Sequence, residues 1–141
     1  PSLTMGKGFQ IACDHCDFSF NTWGDGSPYF RDEDGTKVFW SHPEPEPYLD
    51  FLYRTIGTVN DFPDPAGYLK ARMEALRGRL GNEIPCLCRD CGELCRVDSE
   101  ERGAKCPACG SEELVDTWRA RDIDCPKCKQ GVLREAGMMI S

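Results

Sequence analysis

Four C-x-x-C units constrain this 141-residue chain more than anything else in it: CDHC at 13–16, CRDC at 88–91, CPAC at 106–109 and CPKC at 125–128. Two residues between cysteines let the backbone curl so that both sulfurs reach one ion at about 2.3 Å, and two such turns make a tetrahedral four-thiolate site that suits zinc. One unit alone is a weak signal, because redox thiols use the same spacing; four in one short chain point to metal. Disulfides would need an oxidising compartment. The opening PSLTMGKGF has no apolar core of a secretory leader, so a cytoplasmic protein is expected, with Met5 as its natural start. No apolar run of about 18 residues is present to span a membrane. Cys13, Cys16, Cys88, Cys91, Cys106, Cys109, Cys125 and Cys128 are therefore the candidate metal ligands, and two Zn²⁺ ions are the expected complement.

Which pairs share an ion is open at this level. Fourteen residues separate Cys91 from Cys106, and fifteen separate Cys109 from Cys125, both close to the usual spacing between paired units. Glycine follows Cys91 and Cys109, and glycine takes the positive φ of a tight metal turn at no steric cost. The matched flanks favour one site from the two middle units and a second that joins the first unit to the last. Sequential pairing and a crossed arrangement remain alternatives.

Composition divides the chain. Thirteen of its fourteen aromatic residues lie between Phe9 and Tyr68, and eight of its ten cysteines lie at or after Cys86. The front half can build a core from rings, whereas the back half needs another staple, which metal supplies in small domains. Charge is divided too. Residues 1–69 carry four basic and eleven acidic side chains, residues 70–141 carry thirteen of each, and the whole chain stands at −7. Two four-thiolate zinc sites would make it more acidic. The strongly basic footprint of a general nucleic-acid binder is absent.

Local patterns place these features on elements. GFQIAC reads as a strand into Cys13, and DFSFNTW alternates, with Phe18 and Phe20 on one face. YFRDEDGTKVFW reads as a hairpin about a two-residue Asp34-Gly35 turn. SHPEPEPY has proline at alternate positions and is expected to be an extended connector. YLDFLYRTIG is expected to be a short helix ending at Gly57. DPAGYLKARMEALRGRLG is the clearest helix, with Asp64 as N-cap, Pro65 at its first position, an inward stripe of Ala66, Leu69, Met73, Leu76 and Leu80, and Gly81 just past its end. Lys70, Arg72, Arg77 and Arg79 are expected on its solvated side. ELCRV, ELVDTWRA and GVLREAG are the later strand candidates.

CRDCGELCRV followed by KCPACGSEEL resembles the zinc ribbon superfamily: two C-x-x-C knuckles, each ending in glycine, joined by short antiparallel strands. The resemblance covers residues 86–118. CPKCKQGVL is similar to the second knuckle of another ribbon and IACDHCDFSF to a first knuckle. The resemblance implies a fold and a zinc ligand set. It implies no single activity, because ribbons serve as structural modules in nucleic-acid machinery and as protein-docking elements.

Cys86 and Cys95 are left over and are expected to pack as small buried hydrophobes near the metal. An iron–sulfur cluster is a poorer reading, since CLCRDCGELC lacks the ferredoxin spacing and Arg96 stands where proline belongs. His15, inside the first knuckle, is expected to be a donor or to face solvent. His42 and Glu44 in HPE suggest a zinc deaminase, but the neighbouring prolines forbid the helix such a motif needs. RDEDGT fails as an EF-hand, because Phe30 and Ser41 would occupy ligand positions. No Ser/His/Asp grouping or phosphate-cradling loop is visible, so an enzymatic role has no motif behind it.

The expected protein is a small α+β fold: an aromatic-rich β unit with the first knuckle at 1–47, a helical segment at 48–82 and a zinc ribbon region at 83–141. The expected function is a structural zinc-binding module that docks a protein partner. That partner is expected to be basic, since residues 1–69 are acidic and SHPEPEPYLDFLY offers Glu44, Glu46 and Asp50. The alternative is a nucleic-acid-binding ribbon using Arg89, Arg96, Arg119, Arg121 and Lys127, which the net charge disfavours.

Overall fold

The computed structural model describes residues 7–23, 26–41 and 44–140, the last without its side chain. Met5 and His42 lie outside these. Among the described residues the protein is α+β, with two helices and eight strands in two sheets. Strands β1 (Lys7–Cys13), β2 (Ser19–Trp23) and β8 (Leu133–Ile140) form one sheet in the order β2-β1-β8. The second sheet runs β4 (Lys37–Phe39), β3 (Ser27–Arg31), β5 (Leu80–Cys88), β6 (Leu94–Asp98), with β7 (Leu114–Asp116) also on β5. Helices α1 (Tyr48–Ile56) and α2 (Pro65–Leu76) lie in sequence between β4 and β5. The chain divides into two compact units, Ser27–Asn82 and Pro1–Gly26 with Glu83–Ser141. None of the described helices is long and apolar enough to cross a membrane.

The unit Ser27–Asn82 is built on rings. β3 and β4 form the expected hairpin, paired Tyr29 to Phe39 and Arg31 to Lys37. Its loop is longer than the expected two residues. The Asp32 carboxylate accepts from the backbone N–H of Asp34 and Thr36 at 2.9 and 3.0 Å, so Asp32 organises a five-residue turn in which Gly35 has φ 81°. Helix α1 buries Tyr48, Phe51 and Leu52, one face at i, i+3 and i+4. It ends at Gly57 (φ 84°), whose N–H caps the carbonyls of Leu52 and Tyr53. Phe30 lies between Phe51 and Tyr48, with ring centroids at 5.2 and 6.0 Å, and Leu76 closes the cluster.

Helix α2 departs from expectation in its length and its orientation. Asp64 caps it, accepting from Gly67 N–H at 2.8 Å, with Pro65 at its first position. The helix stops at Leu76, four residues early, because Gly78 takes φ 73° and turns the chain towards β5. The expected inward stripe mostly faces water: Leu69 is 55% and Met73 72% exposed, and only Leu76 is buried. The inward positions include Arg72, whose guanidinium lies 5.5 Å from the Tyr48 ring centre and donates to its hydroxyl at 3.3 Å. Beyond the helix, Arg79 sits 4.8 Å from the Phe51 ring and donates to the carbonyls of Arg31 and Asp32. Arginine can pack its stem and plane on rings and keep its charge hydrated. The aromatic cluster thus meets Arg72 and Arg79 where the leucine stripe was expected.

The other unit is built on short strands and sulfur. Ile11, Phe20, Leu87 and Leu133, one from each of β1, β2, β5 and β8, pack with Cys13, Cys125 and Ala120. The expected strand over 113–120 ends at Asp116. That carboxylate accepts from Trp118 N–H at 2.9 Å and starts a 3-10 turn over Thr117–Arg119. The buried hydroxyls of Thr22 and Thr117 satisfy each other at 2.7 Å. Arg121 lies over Phe9 and Trp118, at 4.3 and 5.1 Å from their ring centres, and pairs with Glu135.

Candidate metal centres

Each knuckle is delivered by a strand end or a tight turn. β1 ends at Cys13 and β5 at Cys88, while Cys106 and Cys125 begin turns that lead into β7 and β8. One backbone bond closes each turn: Cys13 N–H to Phe18, Cys88 N–H to Glu93, Cys106 N–H to Ser111 and Cys125 N–H to Gly131, at 2.7–2.9 Å. Strand pairing then brings the turns together. Asp14 N–H donates to Val132 O at 3.1 Å, and its carboxylate accepts from Val132 N–H at 2.9 Å, fastening the first knuckle to the last. Arg89 N–H to Glu113 O, at 2.8 Å, fastens the two middle knuckles.

Among the described residues, two groups of thiols result. Cys13, Cys16, Cys125 and Cys128 form the outer group and Cys88, Cys91, Cys106 and Cys109 the inner one, and within each all sulfurs lie within 4.8 Å of one another. The closest contacts between knuckles are 3.6 Å (Cys13–Cys128), 3.7 Å (Cys16–Cys125), 3.6 Å (Cys88–Cys109) and 3.6 Å (Cys91–Cys106). A regular tetrahedron with metal–sulfur bonds of about 2.3 Å has sulfur–sulfur edges of about 3.8 Å. The spacing is far too long for a disulfide, whose sulfurs sit about 2.05 Å apart. Both groups can hold a tetrahedral thiophilic ion, and both resemble zinc-ribbon sites.

The electrostatics of each group show why it calls for a cation. In the outer group, the backbone N–H of Gln130, then that of Gly131, acts on Cys128 and pulls its thiol down to about 6. Cys16 is pushed up to about 12: Phe18 N–H favours its thiolate, but burial and the sulfurs of Cys13, Cys128 and Cys125 outweigh it. The inner group repeats the pattern. Burial opposes ionisation of Cys88, yet N–H groups of Cys91 and Asp90 bring it down to about 7. Cys109 is helped by Ser111 N–H but rises to about 12 through burial and its three neighbours. One sulfur in each group gives up its proton readily and one holds on, because like charges cannot crowd together unless a metal ion neutralises them.

His15 is exposed and contributes only its backbone N–H, 3.3 Å from Cys13 Sγ; each group is four cysteines without it. Cys86 and Cys95 join neither group. They face each other across β5 and β6, Cys86 buried and Cys95 half-buried, and burial pushes the Cys86 thiol up to about 11.

Two neighbours of the centres escaped the sequence reading. Gly131 is buried, donates to Cys128 Sγ at 3.4 Å, and leaves no room for a side chain, since a Cβ there would meet Cys13 Sγ and lie 2.6 Å from His15 Cβ. Its place two residues beyond the CPKCK run was the available signal. Lys129 adopts φ 62°, a conformation that glycine holds at the same place in the two middle knuckles. No protein-family model, curated protein or solved structure matches the chain.

Proposed function

We propose that the protein is a zinc-stabilised interaction module in which Cys13, Cys16, Cys125 and Cys128 hold one Zn²⁺ and Cys88, Cys91, Cys106 and Cys109 another. The carrying observation is that each group gathers four thiols within 4.8 Å of one another, close enough for one ion to bind all four. A four-thiolate zinc is closed, with no open position for a water or substrate, and so supplies folding energy. Elemental analysis of the purified protein tests this, with two zinc ions per chain expected; iron with sulfide, or no metal, overturns it.

The unit Ser27–Asn82 offers the docking surface. Leu49, Leu52, Tyr53, Val59 and Tyr68 line a shallow groove of about 310 Å³, and Tyr53 is 66% exposed. Glu44, Glu46, Asp50, Asp61 and Asp64 precede or follow these residues in the chain, whereas the one cation from 44 to 69, Arg54, is engaged by Asp50 and Glu33. Apolar anchors in an acidic surround fit an amphipathic segment of a basic protein partner. A labelled leucine/lysine helical peptide is expected to bind the zinc-loaded chain, to lose binding on Tyr53→Ser, and to weaken on Glu46→Lys or added salt. Equal binding of a leucine/glutamate peptide, or no effect of Tyr53→Ser, overturns the assignment. The nucleic-acid reading draws less support, because Arg121 is stacked on two rings and paired with Glu135. Salt-sensitive retardation of an oligonucleotide would restore it.

A further inference from the structure

In three knuckles the residue after the second cysteine is left-handed and donates its N–H to the first cysteine's carbonyl: Gly92 (φ 82°, 2.9 Å), Gly110 (φ 78°, 2.8 Å) and Lys129 (φ 62°, 3.0 Å). Glycine is the residue that local energetics selects there, since a side chain in this region costs about 1–2 kcal/mol. The lysine makes a contact that glycine cannot. Its ammonium donates to the carbonyl oxygen of Asp90 at 2.8 Å, and Asp90 lies inside the Cys88–Cys91 knuckle of the other centre. Lys127, from the same outer knuckle, lays its stem on Gly92, where a Cβ would come within 2.7 Å of Lys127 Cε. Gly92 thus serves twice, once for its φ and once for the closeness of that stem. Asp90 is itself engaged within the inner centre, because its carboxylate accepts from the hydroxyl of Ser111, two residues beyond Cys109.

We infer that Lys127 and Lys129 form a strut between the two metal centres, so that loading either one raises the affinity of the other. This rests on the reading of both thiol groups as metal sites. Two effects carry it. Ordering the outer knuckle holds Asp90 and Gly92 in the conformation that the inner centre requires, so the ordering entropy is lost once rather than twice. Each loaded centre is also a dianion. Unscreened, two neighbouring dianions would load anticooperatively, and ammonium groups beside both offset that repulsion.

The test counts ions on the full chain. Apo protein, reduced and anaerobic, is titrated with Zn²⁺ and the species with no, one and two ions are resolved by native mass spectrometry. With coupling of about tenfold, the one-ion species reaches about a quarter of the wild-type population at half-saturation. In the K127A/K129G variant it rises towards the statistical value of about half. K129R keeps a donor and is expected to stay near wild type. K129G alone relieves the backbone, so a purely structural role predicts higher thermal stability with an unchanged ion distribution. A one-ion population equal in wild type and double variant overturns the strut while leaving two metal centres in place. Fewer than two ions at saturation overturns the metal reading itself, and the strut with it.

Discussion

The two compact units of this protein reach a packed interior with different materials. Ser27–Asn82 buries Phe30, Tyr48, Phe51, Leu52 and Leu76 and lays arginine planes on two of the rings. The other unit buries Ile11, Phe20, Leu87 and Leu133 around Cys13 and Cys125, with the remaining outer sulfurs at the margin. Ring burial answers mainly to temperature and denaturant. A thiol-centred core answers also to metal, protons and oxidant, because its sulfurs must ionise and be neutralised together. With both thiol groups read as metal sites, one chain carries a constant part and a conditional part.

Stripping the metal should separate them most sharply. A strong chelator with reductant is expected to abolish hydrogen-exchange protection in 7–23 and 83–140 and to leave it in 27–82, a loss on the order of 10 kcal/mol per ion. Loss of protection in both units, or in neither, would break the comparison.

Acid should act in the same direction. At pH 8, Cys128 (about 6) and Cys88 (about 7) favour the thiolate, so loading both centres is expected to release at least the protons that Cys16 and Cys109 (each about 12) still hold. Binding is then favoured at alkaline pH and lost as pH falls, by about tenfold or more per ion for each pH unit near neutrality. Proton release measured by titration in weak buffer checks the count. The ring unit should be indifferent over this range.

Phe51→Ala makes the converse cut. Removing a ring from the centre of its cluster is expected to cost about 3–5 kcal/mol in denaturant unfolding of the ring unit, while the number of ions bound per chain stays as in wild type. Gly131→Ala probes the thiol unit more gently. Its methyl group would press on Cys13 Sγ, and a weakening of the outer centre by about 10- to 100-fold in chelator competition is expected, as for other groups that support metal ligands. The inner centre should then weaken only as far as the lysine strut transmits the loss.

Much of this was legible from residue order. C-x-x-C is a local geometry, so the knuckles, and the glycines after Cys91 and Cys109, could be read without a fold. The strand into Cys13, the hairpin of 27–39, and the caps at Asp64 and Gly57 are equally local, since each depends on a few adjacent residues. The orientation of α2 was not. Leu69 and Met73 repeat at helical spacing, but periodicity says only that a stripe exists, and the neighbours Tyr48 and Phe51 decide that Arg72 and Arg79 are the better fit inside. Gly131 and Lys129 were invisible for a similar reason: their significance lies in atoms 39 or more residues away, Asp90 in one case and Cys13 in the other.

Residue order therefore determined the inventory: four knuckles able to grip ions, a ring-rich segment able to bury itself, and the excess of carboxylates before residue 70. Tertiary structure decided the partnerships. β1 pairs with β8 in register from Cys13 opposite Leu133 to Lys7 opposite Ile140, and that pairing sets the first knuckle against the last. Sulfur spacing along a chain cannot specify such a choice, because every knuckle offers the same two thiols. The distinction comes from the strands behind them, whose hydrogen bonds and side-chain packing set β1 beside β8.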